Sequence, residues 1–193
     1  MRLPDKLLAI DIESTGSDFK IHDICQIGAV LLNKDLSEIN RFRTYVKPLT
    51  EARDPEAMSI HKIDETLLGK SPELEDALIL LEGFVGGLKV SPAAWGVTFD
   101  CIFLREQYAK IGRKYPFHYR CLDLKSIVIW ELSKHGYSKW SGVESCLKAM
   151  GLKFEGSQHD ALDDILNVVR MLRIIINERQ GALDALQKAI QCL

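Results

Sequence analysis

Two apolar runs joined by a short polar loop place the strongest constraint on how this chain folds. The first run, residues 7–12, is compact and predicts a strand buried on both faces. The second, residues 24–32, follows a loop that is too short to hold a crossover helix, which predicts an antiparallel pair. A turn signal at residues 33–35 and a third run at 39–46 extend the pair to an antiparallel meander, ended by Pro48.

Helical spacing dominates the rest of the chain. Ser71 and Pro72 predict a helix start, as N-cap and first helical residue, before apolar residues at helical spacing. Beyond it the pattern predicts strands at 90–97 and 119–122 and helices at 100–111, 124–132, 142–150 and 160–178. The sequence therefore predicts one α/β domain over residues 1–193, a meander followed by strands alternating with helices.

Gly181 is predicted to separate the long helix from a last amphipathic helix, residues 182–193. One stripe of this helix carries Leu183, Leu186, Ile190 and Leu193. Such a stripe either packs onto the parent domain or mediates contacts between chains. The sequence leaves monomer and dimer open.

Composition restricts the setting and the kind of partner. The net charge of -2 and the pI of about 6.2 are too low for a protein that coats nucleic acid by charge, so any such contact must be local or assisted by metal ions. Five cysteines without a CxxC pair argue against a disulfide framework or a cysteine metal cluster and favour a reducing cytoplasm. No segment predicts a signal peptide or a membrane span.

Acidic residues stand where the first strand ends. Asp11 and Glu13 alternate with apolar neighbours, so their side chains point the same way, roughly 6.6 Å apart along the strand. Their mutual repulsion would raise the proton affinity of the two carboxylates unless a divalent cation offset it. Alone, this pair is better explained as a strand emerging into a loop, where acidic residues are common.

The other acidic candidates lie at the starts of helices. Asp100 alone is explained as an N-cap, and Asp160 and Asp163 are explained as a cap and as a favourable charge at a helix N-terminus. Asp164 differs, because it shares the apolar face of its predicted helix, where an unpaired carboxylate is expensive. His159 is predicted to lie on the preceding loop, free to swing over a site.

Taken together, four carboxylates and one mobile histidine predict a site for two divalent cations. Carboxylate oxygens suit Mg²⁺ or Mn²⁺, and two such ions can clamp a scissile phosphate and activate a water. His159 could accept the proton of that water. The four carboxylates are those of Asp11, Glu13, Asp100 and Asp164.

Three segments resemble the exonuclease motifs of the DEDDh superfamily, which includes the proofreading subunit of bacterial DNA polymerase III. They are Asp11-Ile12-Glu13-Ser14-Thr15-Gly16, then Phe99-Asp100, then His159-x-Ala161-x-x-Asp164. The order and spacing fit from residue 7 to about 175. Phe154-Glu155-Gly156 and Trp95-Gly96 are similar to the branch that holds the histone-mRNA 3′ exonucleases and the KapD-like proteins.

The resemblance implies an RNase H-like fold, with a mixed five-stranded sheet flanked by helices. It implies that the metal ions are bound by Asp11, Glu13 and Asp164, that Asp100 completes the site, and that His159 is the general base. It also implies contacts from Ser14, Thr15, Gly16, His61 and Phe99 to the terminal nucleotide. His61 lies in a segment similar to the family's substrate loop, which usually reads His-Gly-Ile. Here Lys62 stands in the place of that glycine.

The leading hypothesis is a 3′–5′ exonuclease that releases nucleoside 5′-monophosphates from single-stranded nucleic acid. RNA is favoured over DNA on the branch resemblance alone. The alternative is a module that binds 3′ ends or a protein partner without cleaving. A basic and aromatic segment could form a strand-binding flank or a solvated helix end; it comprises Arg105, Lys110, Arg113, Lys114, Tyr115, Phe117, Tyr119 and Arg120.

Overall fold

A five-stranded mixed sheet forms the centre of the molecule. The computed structural model describes the backbone of residues 5–139 and 142–191, with side chains as far as residue 177. The strand order is β3-β2-β1-β4-β5. β1 (Lys6–Ser14), β2 (Ile24–Asn33) and β3 (Glu38–Tyr45) pair antiparallel, whereas β4 (Ser91–Ala94) and β5 (Leu122–Asp123) join in parallel. The predicted meander and the mixed sheet are confirmed.

Helices cover both faces of this sheet. They are α1 (Pro55–His61), α2 (Glu65–Gly69), α3 (Leu74–Val85), α4 (Val97–Lys110), α5 (Leu124–Ser133), α6 (Val143–Ala149) and α7 (Ala161–Gln191). Because side chains alternate along a strand, β1 contributes to two cores. Leu8 and Ile10 pack with residues of α3 and α4, and Leu7 and Ala9 pack with residues of α5, α6 and α7.

Two helices begin elsewhere than the sequence predicted. Ser71 is not the N-cap of α3: its hydroxyl donates to the Leu67 carbonyl at 2.8 Å, and α3 begins at Leu74. Residues 72–73 stay extended because Lys47 pairs with them, its N–H donating to the Pro72 carbonyl at 2.8 Å. The strand predicted at 90–97 ends at Ala94, and the next helix, α4, begins at Val97 rather than at residue 100.

The remaining differences concern α1, α2 and α7. The first two are short helices that the sequence analysis did not predict, and each begins at an aspartate N-cap, Asp54 and Asp64. α7 continues through Gly181 as one helix, so the predicted break there is wrong. The side chains of residues 182–193 lie outside the described residues, and their packing stays a prediction. None of the described helices is long and apolar enough to cross a bilayer.

Candidate active site

An acidic cavity of about 440 Å³ opens at the carboxyl end of β1. It is lined by all five of the predicted catalytic side chains, together with the aromatic residues Trp95, Phe99 and Phe154. The predicted catalytic set comprises Asp11, Glu13, Asp100, His159 and Asp164. Residues from three distant parts of the chain therefore meet at one edge of the sheet.

The two carboxylates of β1 face the layer that contains α7. Asp11 and Glu13 alternate with Ile10 and Ile12, whose side chains belong to the core on the opposite face. Across the antiparallel ladder, Asp11 is paired with Gly28 and Glu13 with Gln26. β2 thus supports the acidic pair with residues that the sequence analysis did not select.

Gln26 and Gly28 hold the start of α7 against β2. The buried Gln26 side chain accepts a hydrogen bond from the Ala161 N–H at 2.9 Å and donates to the Asp160 carboxylate at 2.8 Å. Gly28 permits this contact, since a Cβ there would lie 2.2 Å from the backbone carbon of Ala161. A polar glutamine inside the apolar run 24–32 was the available sequence signal for this docking.

Asp164 lies one turn into α7 and is linked to the loop that carries His159, just before that helix. The backbone N–H of His159 donates to the Asp164 carboxylate at 2.9 Å, and His159 adopts a left-handed φ of 60°. This turn leaves the His159 side chain exposed at the cavity. Potential ligand atoms of Glu13, His159 and Asp164 all lie within 4.8 Å of one another. The predicted placement of His159 on the loop before the helix agrees with this geometry.

Residues on the polar side of α7 anchor the same loop. The buried Asn167 side chain accepts from the Glu155 N–H at 3.1 Å and donates to the Glu155 carbonyl at 2.8 Å. Asp163 accepts from the Ser157 N–H at 2.8 Å. Asp160 accepts from the Asp163 N–H at 3.2 Å, which confirms it as the N-cap of α7. The polar side of α7 therefore supports the loop that carries His159.

Asp100 enters the cavity from α4 and is not the N-cap of that helix, as the sequence had suggested. Gly96 occupies the cap position with a left-handed φ of 83°. The Asp123 carboxylate accepts from the N–H groups of Gly96 at 3.0 Å and Val97 at 3.3 Å, which moves the helix start toward the sheet. Asp100 is only 4% exposed. Asp123 is also the N-cap of α5, because its carboxylate accepts from the Ser126 N–H at 3.3 Å.

The four carboxylates have raised pKa values. Burial, followed by repulsion from Asp100 and Glu13, holds the pKa of Asp11 well above its ordinary range. Burial and the charge of Asp164 raise the pKa of Glu13 to about 8. Burial is also the main cause at Asp100 and Asp164, whose pKa values rise to about 7 and about 6. Without a counter-charge this cluster holds protons at neutral pH.

The predicted substrate residues of the β1 turn form a compact buried segment. The Ser14 hydroxyl donates to the Gly16 carbonyl at 2.8 Å, and the Thr15 hydroxyl accepts from the Asp23 N–H at 3.1 Å. A Cβ at Gly16 would lie 2.5 Å from the ring of His22, so a larger residue would displace that side chain. Among the atoms described here, the two hydroxyls already have partners within the protein.

Phe99 and His61 occupy contrasting environments. Phe99 is 44% exposed at the rim of the cavity, with its ring 5.0 Å from that of Phe103. His61 is 8% exposed and is not among the described residues that line the cavity. Its Nδ1 accepts from the Ile63 N–H at 3.0 Å, and its Nε2 lies 3.7 Å from Cys25 Sγ. Lys62 adopts the left-handed conformation, φ 55°, that a glycine would favour.

The basic and aromatic segment serves partly to hold the domain together. Lys110 forms an ion pair with the buried Asp23 at 2.6 Å, and Arg113 pairs with Glu82 at 3.1 Å. These pairs favour the structural interpretation of the two residues over strand binding.

The sequence profile of the RNase T family, described as an exonuclease family, matches residues 8–172. The chain belongs to this family. Curated relatives agree with that assignment. The chain is 26% identical over 182 residues to an oligoribonuclease of Corynebacterium glutamicum (strain R), a match that covers 87% of the chain and 77% of the relative. It is 24% identical over 189 residues to a PolC-type DNA polymerase III of Clostridium perfringens, covering 93% of the chain but only 12% of the polymerase.

Solved structures share the fold. The nuclease domain of 3′hExo, a DEDDh family member bound to rAMP, is 21% identical with a TM-score of 0.74, covering 90% of this chain and 92% of that domain. E. coli Exonuclease I in complex with a dT13 oligonucleotide is 17% identical with a TM-score of 0.78, covering 95% of this chain and 43% of that one. The expected RNase H-like fold and membership of an exonuclease family are confirmed.

Proposed function

We propose that the chain is a 3′–5′ exonuclease that hydrolyses single-stranded nucleic acid and releases nucleoside 5′-monophosphates. One observation carries the proposal: Asp11, Glu13, Asp100 and Asp164 share a cavity with His159, and all four carboxylates have raised pKa values. A cluster of this kind needs positive charge to ionise. Nucleic acid hydrolysis supplies a use for that charge, because the substrate is itself an anion.

The donor set fits divalent cations. Exonucleases of this family generally use divalent metal ions. The four carboxylates offer oxygen ligands, which favour Mg²⁺ or Mn²⁺, and we propose two ions for each site. Bound there, the ions would polarise the scissile phosphate and lower the pKa of a water. Asp11, Glu13, Asp100 and Asp164 would hold them.

The residues of the chain would then bind, orient and move a proton. His159 is exposed on a turn fixed by the hydrogen bond from its N–H to Asp164, so its imidazole can approach the attacking water and accept the proton. Phe99 stands at the rim, where its face can stack on a terminal base. The backbone of the turn formed by Ser14, Thr15 and Gly16 would contact the terminal nucleotide. Since His61 is buried and is not among the described residues that line the cavity, we assign it no contact with that nucleotide.

The choice between RNA and DNA is a further part of the proposal, and we favour RNA. Two similar proteins support it: the oligoribonuclease, and the 3′hExo domain whose structure contains rAMP. The structure of E. coli Exonuclease I contains a dT13 oligonucleotide, which favours DNA. Matched end-labelled RNA and DNA oligonucleotides, degraded in one assay, would decide the question. Faster shortening of the DNA would reverse our choice.

We further propose a reducing, cytoplasmic setting, since the described cysteines are free thiols. A monomer and a dimer are both compatible with the site, because the described residues of one chain include all five of the proposed catalytic side chains. Sedimentation of the full chain beside a chain truncated after Gln180 would test whether the C-terminal helical segment mediates contacts.

Substitution of the metal ligands tests the proposal. Asp11→Asn and Asp164→Asn each remove one anionic ligand while keeping the side-chain shape, so we expect divalent-dependent hydrolysis to fall by about 10²-fold or more with the fold retained. Asp35→Asn, on an exposed turn, is the control. Full activity in both ligand variants would refute the site. Binding of 3′ ends without shortening in Mg²⁺ or Mn²⁺ would favour the non-cleaving module.

A further inference from the structure

Two thiols that the catalytic proposal does not use lie side by side. The Sγ atoms of Cys101 and Cys121 are 3.3 Å apart, and both cysteines are free. Cys101 is buried in α4, whereas Cys121 is partly exposed just before β5. An intramolecular disulfide forms most readily when one thiol is accessible to solvent and the second lies within contact distance of it. This pair has that arrangement.

Both thiols adjoin segments that position the site. Cys101 directly follows Asp100 in α4, and Cys121 stands two residues before Asp123. The Asp123 carboxylate holds the start of α4 through the N–H groups of Gly96 and Val97. A covalent bond between the two sulfurs would therefore join α4, which presents Asp100, to the segment that leads into β5, whose Asp123 holds the start of α4.

Forming the bond requires a small movement. The S–S distance in a disulfide is about 2.05 Å, so the two sulfurs must approach by about 1.2 Å. Cys101 lies in a helix packed against the core, while Tyr119, two residues before Cys121, is 66% exposed. Because Cys121 lies outside a helix or strand, we expect it to move rather than Cys101, and to draw Asp123 with it.

We propose that Cys101 and Cys121 form an oxidative modification site that responds to hydroperoxides, and that their disulfide slows the nuclease. The effect on rate rests on the proposed function. In the first step the Cys121 sulfur attacks the terminal peroxide oxygen; the O–O bond breaks, and water or an alcohol leaves. In the second the Cys101 sulfur attacks the resulting sulfenic acid, the S–S bond forms, and water leaves with the thiol proton. The peroxide accepts two electrons from the two thiols.

The expected loss of rate follows from the displacement. Catalytic groups must be held within a fraction of an ångström, and a misplacement near 1 Å can reduce a rate by about 10²-fold. Since the movement is shared between the loop and Asp123, we expect oxidation to lower the rate about tenfold. Reduction by a dithiol should restore it.

The test uses the full chain carrying Cys192→Ser, because Cys192 lies outside the described residues and could link two chains. Protein treated with hydrogen peroxide is analysed by peptide mass spectrometry for a bond between Cys101 and Cys121, and by degradation of an end-labelled oligonucleotide before and after reduction. The matched variant is Cys121→Ser, which keeps the size of the side chain and should retain its rate in peroxide. Mass spectrometry reads the thiols without reference to activity, so failure of the nuclease assignment is distinguishable from failure of the dithiol site.

The results separate the possibilities. A Cys101–Cys121 disulfide that lowers the rate about tenfold, is reversed by reduction and is absent from Cys121→Ser would support the proposal. Failure of the disulfide to form would show that the 3.3 Å approach is only an S–H···S contact and would overturn it. A disulfide that forms without changing the rate, or an equal loss of rate in Cys121→Ser, would also overturn it.

Discussion

Replacing Glu13 by glutamine should stabilise the metal-free protein at high pH. Burial and the charges of Asp164 and Asp100 raise the pKa of Glu13 from 4.5 to about 8. Because the folded pKa lies above the unfolded one, the protonated group contributes its full stability below about pH 4.5, and that contribution is lost as the pH rises through 8. Glu13→Gln removes the group that loses its proton.

The size of the effect follows from the pKa. At about 1.4 kcal/mol for each pKa unit, full ionisation of Glu13 corresponds to about 5 kcal/mol. Glu13 is only partly buried, so solvent screening reduces this to about 2–4 kcal/mol. We therefore expect Glu13→Gln to raise the free energy of unfolding by about 2–4 kcal/mol at pH 9 and by less than about 0.5 kcal/mol at pH 4.5.

Urea unfolding in the presence of a chelator, at the two pH values, measures this difference. Glu144→Gln is the matched control, since Glu144 lines the same cavity but is exposed on α6; its effect should stay within about 0.5 kcal/mol. The same Glu13→Gln variant should lack divalent-dependent hydrolysis. A stability difference that is equal at pH 4.5 and pH 9, or a variant less stable than the parent at pH 9, would refute the electrostatic reasoning.

Three further predictions concern the metal, the docking of α7 and the loop after α1. The affinity for Mn²⁺ should rise between pH 6 and pH 8, because Asp164, Asp100 and Glu13, with pKa values of about 6, 7 and 8, must lose their protons before they bind a cation. Calorimetry in buffers of different ionisation enthalpy would detect the released protons. An affinity that does not change with pH would contradict this prediction. Gly28→Ala should lower the free energy of unfolding by about 2–3 kcal/mol and reduce activity, because the added Cβ would lie 2.2 Å from the α7 backbone. Gly69→Ala, with open space around it, is the control. Equal effects of the two variants in urea unfolding would disprove the close approach. In the same assay, Lys62→Gly should stabilise the protein by about 0.5–1 kcal/mol, because it removes the backbone strain of a left-handed lysine. Lys70→Gly, at φ -104°, should destabilise the protein. Stabilisation by both substitutions, or by neither, would count against the explanation.

Strand and helix periodicity in the sequence determined the local direction of the predicted catalytic side chains. Alternation along β1 placed Asp11 and Glu13 on one side, and helical spacing placed Asp164 on the inner face of α7. These inferences held because each depends on neighbours within a few residues. For the same reason the motifs were sufficient to indicate the fold and the exonuclease family.

Only the tertiary structure decided how the acids meet and where their helices begin. Asp100 lies inside α4 because Asp123, 27 residues beyond Gly96, holds the backbone at the helix start. Asp164 reaches Glu13 because Gln26 and Gly28 receive the N-terminus of α7, more than 130 residues away in sequence. A helix start depends on which groups satisfy its first N–H donors, and those partners become neighbours only when the chain has folded.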